Sequence, residues 1–225
     1  MIHTFDSKNE YISGYTKSII PCSKEDLENS CAIKELYYPA AKDYKEMSYN
    51  EREEYIKRYY LDVLSKLDPE KIYDKIRYTI LVSDERTDSL AKRHIVSEWL
   101  TLYVGEKFYE SYYDKEKGEL VRLERPPFIK SDLEKIIRNN IENMRGFKSL
   151  RALYLFEKGE ELELKAKTLE NKIDKHCYDA SDYRQAACYL RCDADEEEYH
   201  YRKKLNQKSK VLLKKYPDIP KISTK

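Results

Sequence analysis

The sequence predicts an α/β fold, in which a small parallel-type sheet flanked by helices is followed by an all-helical C-terminal region. Three observations favour this fold class. The apolar run at residues 80–82 stops at a polar loop, and apolar residues then recur at helical spacing as far as Gly105. Up to residue 117 the predicted strands and helices alternate, an order typical of parallel sheets with right-handed crossovers. From residue 118 onward the patterns are helical only.

We therefore expect two domains, an α/β domain at residues 1–117 and a helical appendage at residues 118–225 with a basic end. A chain of 225 residues can bury a core in this arrangement. Lys and Arg number 19 against 23 Asp and Glu in the first domain, and 24 against 19 in the second. The positive charge is therefore concentrated in the appendage.

Two helix starts in the first domain follow from local capping chemistry. Ser48 and Glu51 form a capping box, in which each side chain accepts the other residue's backbone N–H, and predict a helix over residues 49–66. Asp68 followed by Pro69 predicts a second helix immediately afterwards. Asp caps a helix well, and Pro is tolerated in the first turn.

Three strands complete the predicted α/β domain. They lie at residues 11–15, 78–82 and 107–110. Between the last two strands, Thr87 is the predicted cap of a helix. That helix ends at Gly105, because glycine readily adopts the left-handed conformation of a helix C-terminus.

Tyrosines of the first domain are predicted to be part of the core. The helix over residues 49–66 has large side chains at i, i+3, i+4 and i+7, the pattern of a buried stripe. The stripe consists of Ile56, Tyr59, Tyr60, Val63, Leu64 and Leu67. Trp99 lies among apolar residues and is also expected in the core. The alternative for tyrosines beside Lys57 and Arg58 is a surface that stacks nucleic-acid bases.

The appendage is predicted to be a series of helices. A second capping box at residues 131–134 begins one of them, and Gly159 is a possible kink in another. The last helix is expected over residues 181–216. Within it Glu198 lies four residues before Arg202, the favourable orientation for an ion pair on one helix.

Composition argues against several classes of protein. No run approaches the roughly 18 apolar residues of a membrane span, and the N-terminus lacks a signal-peptide pattern, so we expect a cytoplasmic protein without membrane contact. The chain has only five glycines and no phosphate-binding loop motif, which argues against nucleoside triphosphatases and dinucleotide enzymes. No cofactor is expected. Five cysteines at irregular spacing argue against a disulfide framework.

One group of residues has a metal-like composition: His176, Cys177, Cys188 and Cys192. Cys188 and Cys192 share a helix face at i, i+4, and tetrahedral zinc accepts both Cys and His. The spacing matches no standard zinc finger or ribbon, and the small apolar neighbours of Cys188 suit a buried thiol. We therefore expect no metal site.

A ligand site is predicted after the strand at residues 78–82, because open α/β sheets bind ligands at the carboxyl ends of their strands. The candidate anion-binding residues are Ser83, Glu85, Lys92 and Arg93. The alternative is a structural role, in which Arg93 pairs with Glu85 or Glu98 and His94 packs in the core.

Residues 10–112 resemble the family called domain of unknown function 488. The resemblance rests on Tyr55-Ile56 with Tyr59, on Asp68-Pro69 and on the segment RHIVSEWL at residues 93–100. It implies a compact α/β fold and assigns no reaction.

This chain departs from the family's pattern at three positions. The family has Cys at the strand end, where this chain has Ser83, and Cys-His before the arginine, where it has Ala91 and Lys92. A thiol activated by a helix N-terminus and a neighbouring base is one chemistry that the family motif would allow. We expect no cysteine-dependent activity here, although Lys92 and Arg93 could still hold an anion.

The end of the chain is strongly basic, with nine basic residues and one acidic residue after residue 198. The candidate nucleic-acid-binding residues are Arg202, Lys203, Lys204, Lys208, Lys210, Lys214 and Lys215. The leading hypothesis is a non-catalytic protein that associates with nucleic acid or a nucleoprotein complex through this helix. The simpler alternative is a solvated helix end.

Two other classes of function stay open. The protein could be an adaptor or inhibitor whose helical half docks on a protein partner. It could also be an enzyme that acts on a nucleotide or another phosphorylated substrate with Glu85, Lys92 and Arg93.

Overall fold

The computed structural model forms two compact units, Met1–Glu142 and Asn143–Lys225. The sequence predicted a boundary earlier in the chain, at residue 117. The structure describes residues 2–6, 16–41, 47–83, 85, 90–114, 116–123, 126–170 and 177–215.

The first unit contains a mostly parallel five-stranded sheet with the order β2-β3-β1-β4-β5. Its strands are β1 (Ile2–Asp6), β2 (Lys17–Ile19), β3 (Ile80–Ser83), β4 (Phe108–Asp114) and β5 (Glu119–Leu123). The first four strands are parallel to one another, and β5 pairs antiparallel with β4. The predicted α/β fold class is confirmed.

Four α-helices accompany this sheet. They are α1 (Tyr49–Asp62), α2 (Pro69–Ile76), α3 (Lys92–Val104) and α4 (Pro127–Asn140). The capping box is present, since the Ser48 and Glu51 side chains each accept the other residue's backbone N–H. Asp68 caps α2 by accepting the Glu70 N–H at 3.1 Å. Both predicted helix starts are confirmed.

The core of the first unit contains most of the predicted stripe. Four stripe residues are buried: Ile56, Tyr59, Tyr60 and Leu64. Trp99 is only 1% exposed and is confirmed as a core residue. Val63 and Leu67 lie at the edge of this core rather than within it, since α1 gives way to a short 3-10 turn at residues 64–66.

Three features of this unit differ from the sequence-based expectation. Strands β1, β2 and β5 were not predicted, and β5 lies in the region from residue 118 that was expected to be helical only. The strand expected at residues 11–15 lies outside the described residues. Helix α3 begins at Lys92 and its N-cap residue is Ala91, whereas Thr87, the predicted cap, lies outside the described residues. The prediction of a capping box at residues 131–134 is wrong. Ser131 lies inside α4, which starts at a proline, and its hydroxyl donates to the Phe128 carbonyl.

The second unit is an antiparallel pair of helices, α5 (Leu150–Glu170) and α6 (Cys177–Lys215). Ser149 meets Glu198 at one end of the pair, and Glu163 meets Arg191 further along. Helix α5 continues through Gly159, the residue predicted as a possible kink. Within the described residues no helix is long and apolar enough to cross a membrane.

Candidate functional site

The structure brings together the four predicted anion-binding residues. β3 ends at Ser83, Glu85 follows it, and the chain returns at Lys92 and Arg93 to begin α3. All four side chains are buried, with Lys92, Arg93 and Ser83 fully enclosed. The predicted ligand loop is therefore a packed polar cluster, which we call the α3 cluster. It also contains Thr4, His94 and Glu110.

Lys92 and Glu85 pair at the N-terminus of α3. The Glu85 carboxylate accepts the Lys92 backbone N–H at 2.7 Å and the Lys92 ammonium at 3.0 Å. A helix N-terminus attracts anions because its first N–H groups lack partners within the helix. Glu85 is thus the anion that the chain itself supplies at this position.

The Arg93 guanidinium has three partner residues within the fold. Its Nη2 donates to Glu110 Oε1 at 2.8 Å, and its Nε donates to the same oxygen at 3.0 Å. Its Nη1 donates to Ser83 Oγ at 3.0 Å and to the Glu85 carbonyl at 2.5 Å. The planar guanidinium therefore links the ends of β3 and α3 to the middle of β4.

Glu110 also contacts two other buried residues. His94 Nε2 lies 3.1 Å from Glu110 Oε2, and the Thr4 hydroxyl donates to that oxygen. Burial alone would raise the pKa of Glu110. His94 and Arg93 outweigh burial and lower this pKa to about 2. Glu110 is therefore an anion throughout the physiological pH range.

This geometry favours the structural interpretation of Arg93 and His94. The partner of Arg93 is Glu110 rather than the Glu85 carboxylate or Glu98, although the Glu85 carbonyl also accepts from it. Sequence reasoning missed Glu110. The available signal was a charged residue among the aromatic residues of β4, which alternate between two faces of a sheet.

Tyr59 and the loop that contains Asp26 lie near the α3 cluster. Tyr59 donates to the Leu36 carbonyl at 3.1 Å, and burial followed by the nearby Glu85 charge raises its pKa. Asp26 accepts the backbone N–H groups of Cys22 and Ser23 at 2.7 and 2.8 Å. These bonds fix the loop that follows β2.

A mostly apolar cleft lies beside the first half of α1. Its volume is about 610 Å³. Tyr38, Pro39, Ala40, Ala41, Met47 and Tyr55 line it with the polar residues Asn50, Glu51, Glu54 and Arg58. Tyr55 donates to the Pro39 carbonyl at 2.8 Å, and Arg58 pairs with Glu54 at 2.7 Å. The Tyr55 hydroxyl, Glu54 and Arg58 thus have partners within the fold.

The metal-like residues do not form a site in the described part of the chain. Cys188 and Cys192 are exposed on α6, whereas the sequence context had suggested that Cys188 is buried. His176 and the Cys177 side chain lie outside the described residues. Among the residues that are described, no group of three or more His, Cys, Asp or Glu side chains is arranged to hold a metal ion.

The basic segment belongs to α6, which is continuous as far as Lys215. Arg202 pairs with Glu198 at 2.6 Å, as its spacing predicted, and also donates to the Gly146 carbonyl at 3.1 Å. Arg202 is therefore held within the second unit. Lys203 and Lys204 are exposed. The backbone of α6 also carries Lys208, Lys210, Lys214 and Lys215, whose side chains are outside the described set.

The sequence predicted that Glu198 pairs with Arg202, but it did not predict the other partners of Glu198. Its carboxylate accepts the backbone N–H groups of Lys148 and Ser149, just before α5, at 2.8–3.0 Å. Burial acts to raise the pKa of Glu198, but Arg202 and these N–H groups lower it overall.

Comparisons with protein families, curated proteins and solved structures found no match to this chain.

Proposed function

We propose that this protein binds nucleic acid, alone or in a nucleoprotein complex, through the basic C-terminal part of α6. The observation that carries the proposal is the exposed pair Lys203 and Lys204 on a helix that continues through four more lysines. No acidic residue lies between residue 199 and the end of that helix. Arg202 is left out of the binding surface because Glu198 already pairs with it.

Helical spacing arranges these lysines in two adjacent rows. Residues 203, 210 and 214 share one row, and residues 204, 208 and 215 share the next. A helix rises about 1.5 Å per residue, so the basic segment is about 18 Å long. Such a surface suits the regular phosphate charges of a nucleic-acid backbone, and contacts to phosphates carry no information on base sequence.

The experiment measures binding of a fluorescent DNA duplex of mixed sequence between about 50 and 200 mM salt. Released counterions drive phosphate contacts, so the logarithm of the binding constant should fall linearly with the logarithm of salt concentration. Replacing Lys203 and Lys204 by Gln should weaken binding and reduce the slope by about 2.

The matched control replaces Lys57 and Lys71, two exposed lysines of the first unit, by Gln. This control makes the same change in net charge, and it should leave both the affinity and the slope unchanged. Binding that does not vary with salt, or no binding at all, would overturn the proposal.

The resemblance to the family called domain of unknown function 488 also remains a proposal. What supports it is the compact α/β fold with a strand that ends at Ser83 and a helix that begins next to Arg93. Ser83 stands where the family has Cys, and its hydroxyl accepts from Arg93. A serine hydroxyl in this position acts as a packing partner of the guanidinium and supplies no thiol chemistry.

A further inference from the structure

Helix α6 has an exposed face on the side away from α5. Its central residues are Asp193, Glu196, Tyr199, His200, Lys203 and Lys204, all of which are exposed. The buried side of the same helix carries Ala187, Ala194 and Glu198. We infer that the exposed face binds the same face of a second copy of this chain, with the two α6 helices antiparallel.

Helical spacing places the six residues in two neighbouring rows. Glu196, Tyr199 and Lys203 follow each other at intervals of three and four residues and share one row. Asp193, His200 and Lys204 follow at intervals of seven and four and share the next row. Each row therefore runs from an acidic residue through an aromatic ring to a basic residue.

This order of charges selects both the partner and its direction. A parallel second copy would set the acidic residues Asp193 and Glu196 level with the partner's acidic residues, and Lys203 and Lys204 level with the partner's lysines, which is repulsive. An antiparallel copy centred on Tyr199 sets Glu196 beside the partner's Lys203. With a rise of about 1.5 Å per residue, that pair is within about 1.5 Å of level along the helix axis.

The second row is complementary at the same centre. Asp193 then lies beside the partner's Lys204, again within about 1.5 Å of level along the axis. In an antiparallel pair of helices the same flank of each helix meets across the twofold axis, so the two rows do not exchange partners. One symmetry axis therefore satisfies both rows, and each ion pair occurs twice, as an isologous interface requires.

Tyr199 supplies the apolar centre of the interface. Its side chain is 62% exposed and is therefore accessible to a second copy. Within the described chain its ring contacts the neighbouring His200 ring at 5.5 Å. In the antiparallel pair the twofold axis passes beside Tyr199, and the two tyrosine rings can pack on each other.

The charged residues of this face form only weak ion pairs with the described residues of their own copy. Glu196 lies 3.5 Å from His200 Nε2, and both side chains are more than half exposed. Among the described residues, no carboxylate forms an ion pair with Lys203 or Lys204. The second copy would supply the missing carboxylates.

Dimer formation would cover Lys203 and Lys204, so it should compete with nucleic acid for this segment. This consequence rests on the proposed function, whereas the dimer itself does not. Self-association would thus keep the basic surface closed until nucleic acid displaces the second copy.

The test is a charge-reversal cycle on the full chain, with mass measured by sedimentation velocity over a range of protein concentrations. The wild-type protein should show a monomer–dimer equilibrium. Glu196→Lys and Lys203→Glu should each weaken the dimer about tenfold, because each change turns two attractive contacts into repulsive ones. The double variant should restore wild-type association.

Glu161→Lys is the matched control, since Glu161 is exposed on α5, outside this face. It should associate as the wild type does, and circular dichroism should show equal helix content in all variants. A wild-type protein that stays monomeric, or a double variant that does not recover, would overturn the inference.

Nucleic-acid binding of the same variants separates this inference from the proposed function. Glu196→Lys should bind the DNA duplex more tightly than wild type, since it frees the lysines, and Lys203→Glu should weaken both dimer formation and DNA binding. A protein that dimerises but does not bind DNA would contradict the proposed function and would still support the interface. DNA binding by a protein that never dimerises contradicts the interface alone.

Discussion

Arg93 and Glu110 form a fully buried ion pair that joins helix α3 to strand β4. Arg93 Nη2 lies 2.8 Å from Glu110 Oε1, and the two side chains are 0% and 1% exposed. A buried pair of this kind adds little to stability compared with an apolar pair, because both charges lose their hydration. Removing one partner is costly, because the other charge then stays buried without compensation. Replacing either residue alone should therefore destabilise the first unit.

Glu110→Gln should lower the free energy of unfolding of the first unit by about 3–5 kcal/mol, since Arg93 would keep its charge without a carboxylate. Urea unfolding followed by tryptophan fluorescence measures this unit alone, because Trp99 is the single tryptophan of the chain and is buried there.

Glu119→Gln is the control for this prediction. Glu119 is exposed on the neighbouring strand β5, and its substitution should change the free energy of unfolding by less than about 0.5 kcal/mol. Equal losses in the two variants would show that the Glu110 charge has no special role.

The stability of the first unit should fall in acid in a defined pH window. Burial opposes ionisation of Glu110, but His94 and Arg93 lower its pKa from 4.5 to about 2 in the folded protein. A lowered carboxyl pKa gives stability that is complete above the unfolded value and is lost as the pH falls to the folded value. The loss should therefore occur between about pH 5 and pH 2.

A shift of this size corresponds to about 3 kcal/mol from Glu110. Urea unfolding of the wild type and of Glu110→Gln at a series of pH values measures the contribution of Glu110 to the free energy of unfolding. The wild type should lose this contribution on acidification, and the variant should lack it at every pH. Parallel pH profiles for the two proteins would contradict the assignment.

Local chemistry explains which parts of the fold the sequence predicts. The Ser48–Glu51 capping box and the Asp68 cap are each complete within three residues, and the structure has both. Helical spacing likewise predicted the burial of Tyr59. Such features need no knowledge of the rest of the chain.

Contacts between distant residues explain what the sequence did not predict. Strand β1 is short and contains polar residues, and it is a strand because it pairs with both β3 and β4. Thr4 bonds to Glu110, 106 positions away, and Glu198 bonds to Ser149, 49 positions away. The α3 cluster was predicted by its helix and loop residues, but its carboxylate partner Glu110 comes from a later strand.

Glu198→Gln should destabilise the second unit, because the Glu198 carboxylate holds the two residues that precede α5 against the neighbouring helix. It accepts the backbone N–H groups of Lys148 and Ser149 and the guanidinium of Arg202. Hydrogen bonds to a charged acceptor are worth about 1.5–3 kcal/mol, and an amide keeps only part of this. We expect the free energy of unfolding of the second unit to fall by about 1–2 kcal/mol.

Hydrogen exchange measures this loss directly at the Lys148 and Ser149 amides, which should exchange faster in Glu198→Gln than in wild type. Glu161→Gln, an exposed change on α5, should leave their exchange rates as they are. Unchanged protection in Glu198→Gln would mean that these amides are held by other groups.

Gly159→Leu should weaken the packing of α5 against α6. A Cβ atom at Gly159 would lie 3.1 Å from the Ala187 carbonyl oxygen and 3.3 Å from Arg191 Cγ. The first of these neighbours is backbone and cannot rotate away, so a larger side chain must push the helices apart. Overpacking of this kind costs about 1–3 kcal/mol, even though leucine is the better helix former.

Lys165→Leu provides the control, because Lys165 is exposed on the same helix and its substitution adds leucine without a close neighbour. Thermal unfolding followed by circular dichroism should show a lower Tm for Gly159→Leu and a nearly unchanged Tm for Lys165→Leu. Gly159→Ala separates the two opposing effects: a gain of helix propensity of about 1 kcal/mol is set against a contact that requires the Ala187 backbone to shift. Because that backbone is part of α6, we expect Gly159→Ala to fall between wild type and Gly159→Leu. A Gly159→Leu variant as stable as wild type would show that α5 and α6 do not approach closely at this glycine.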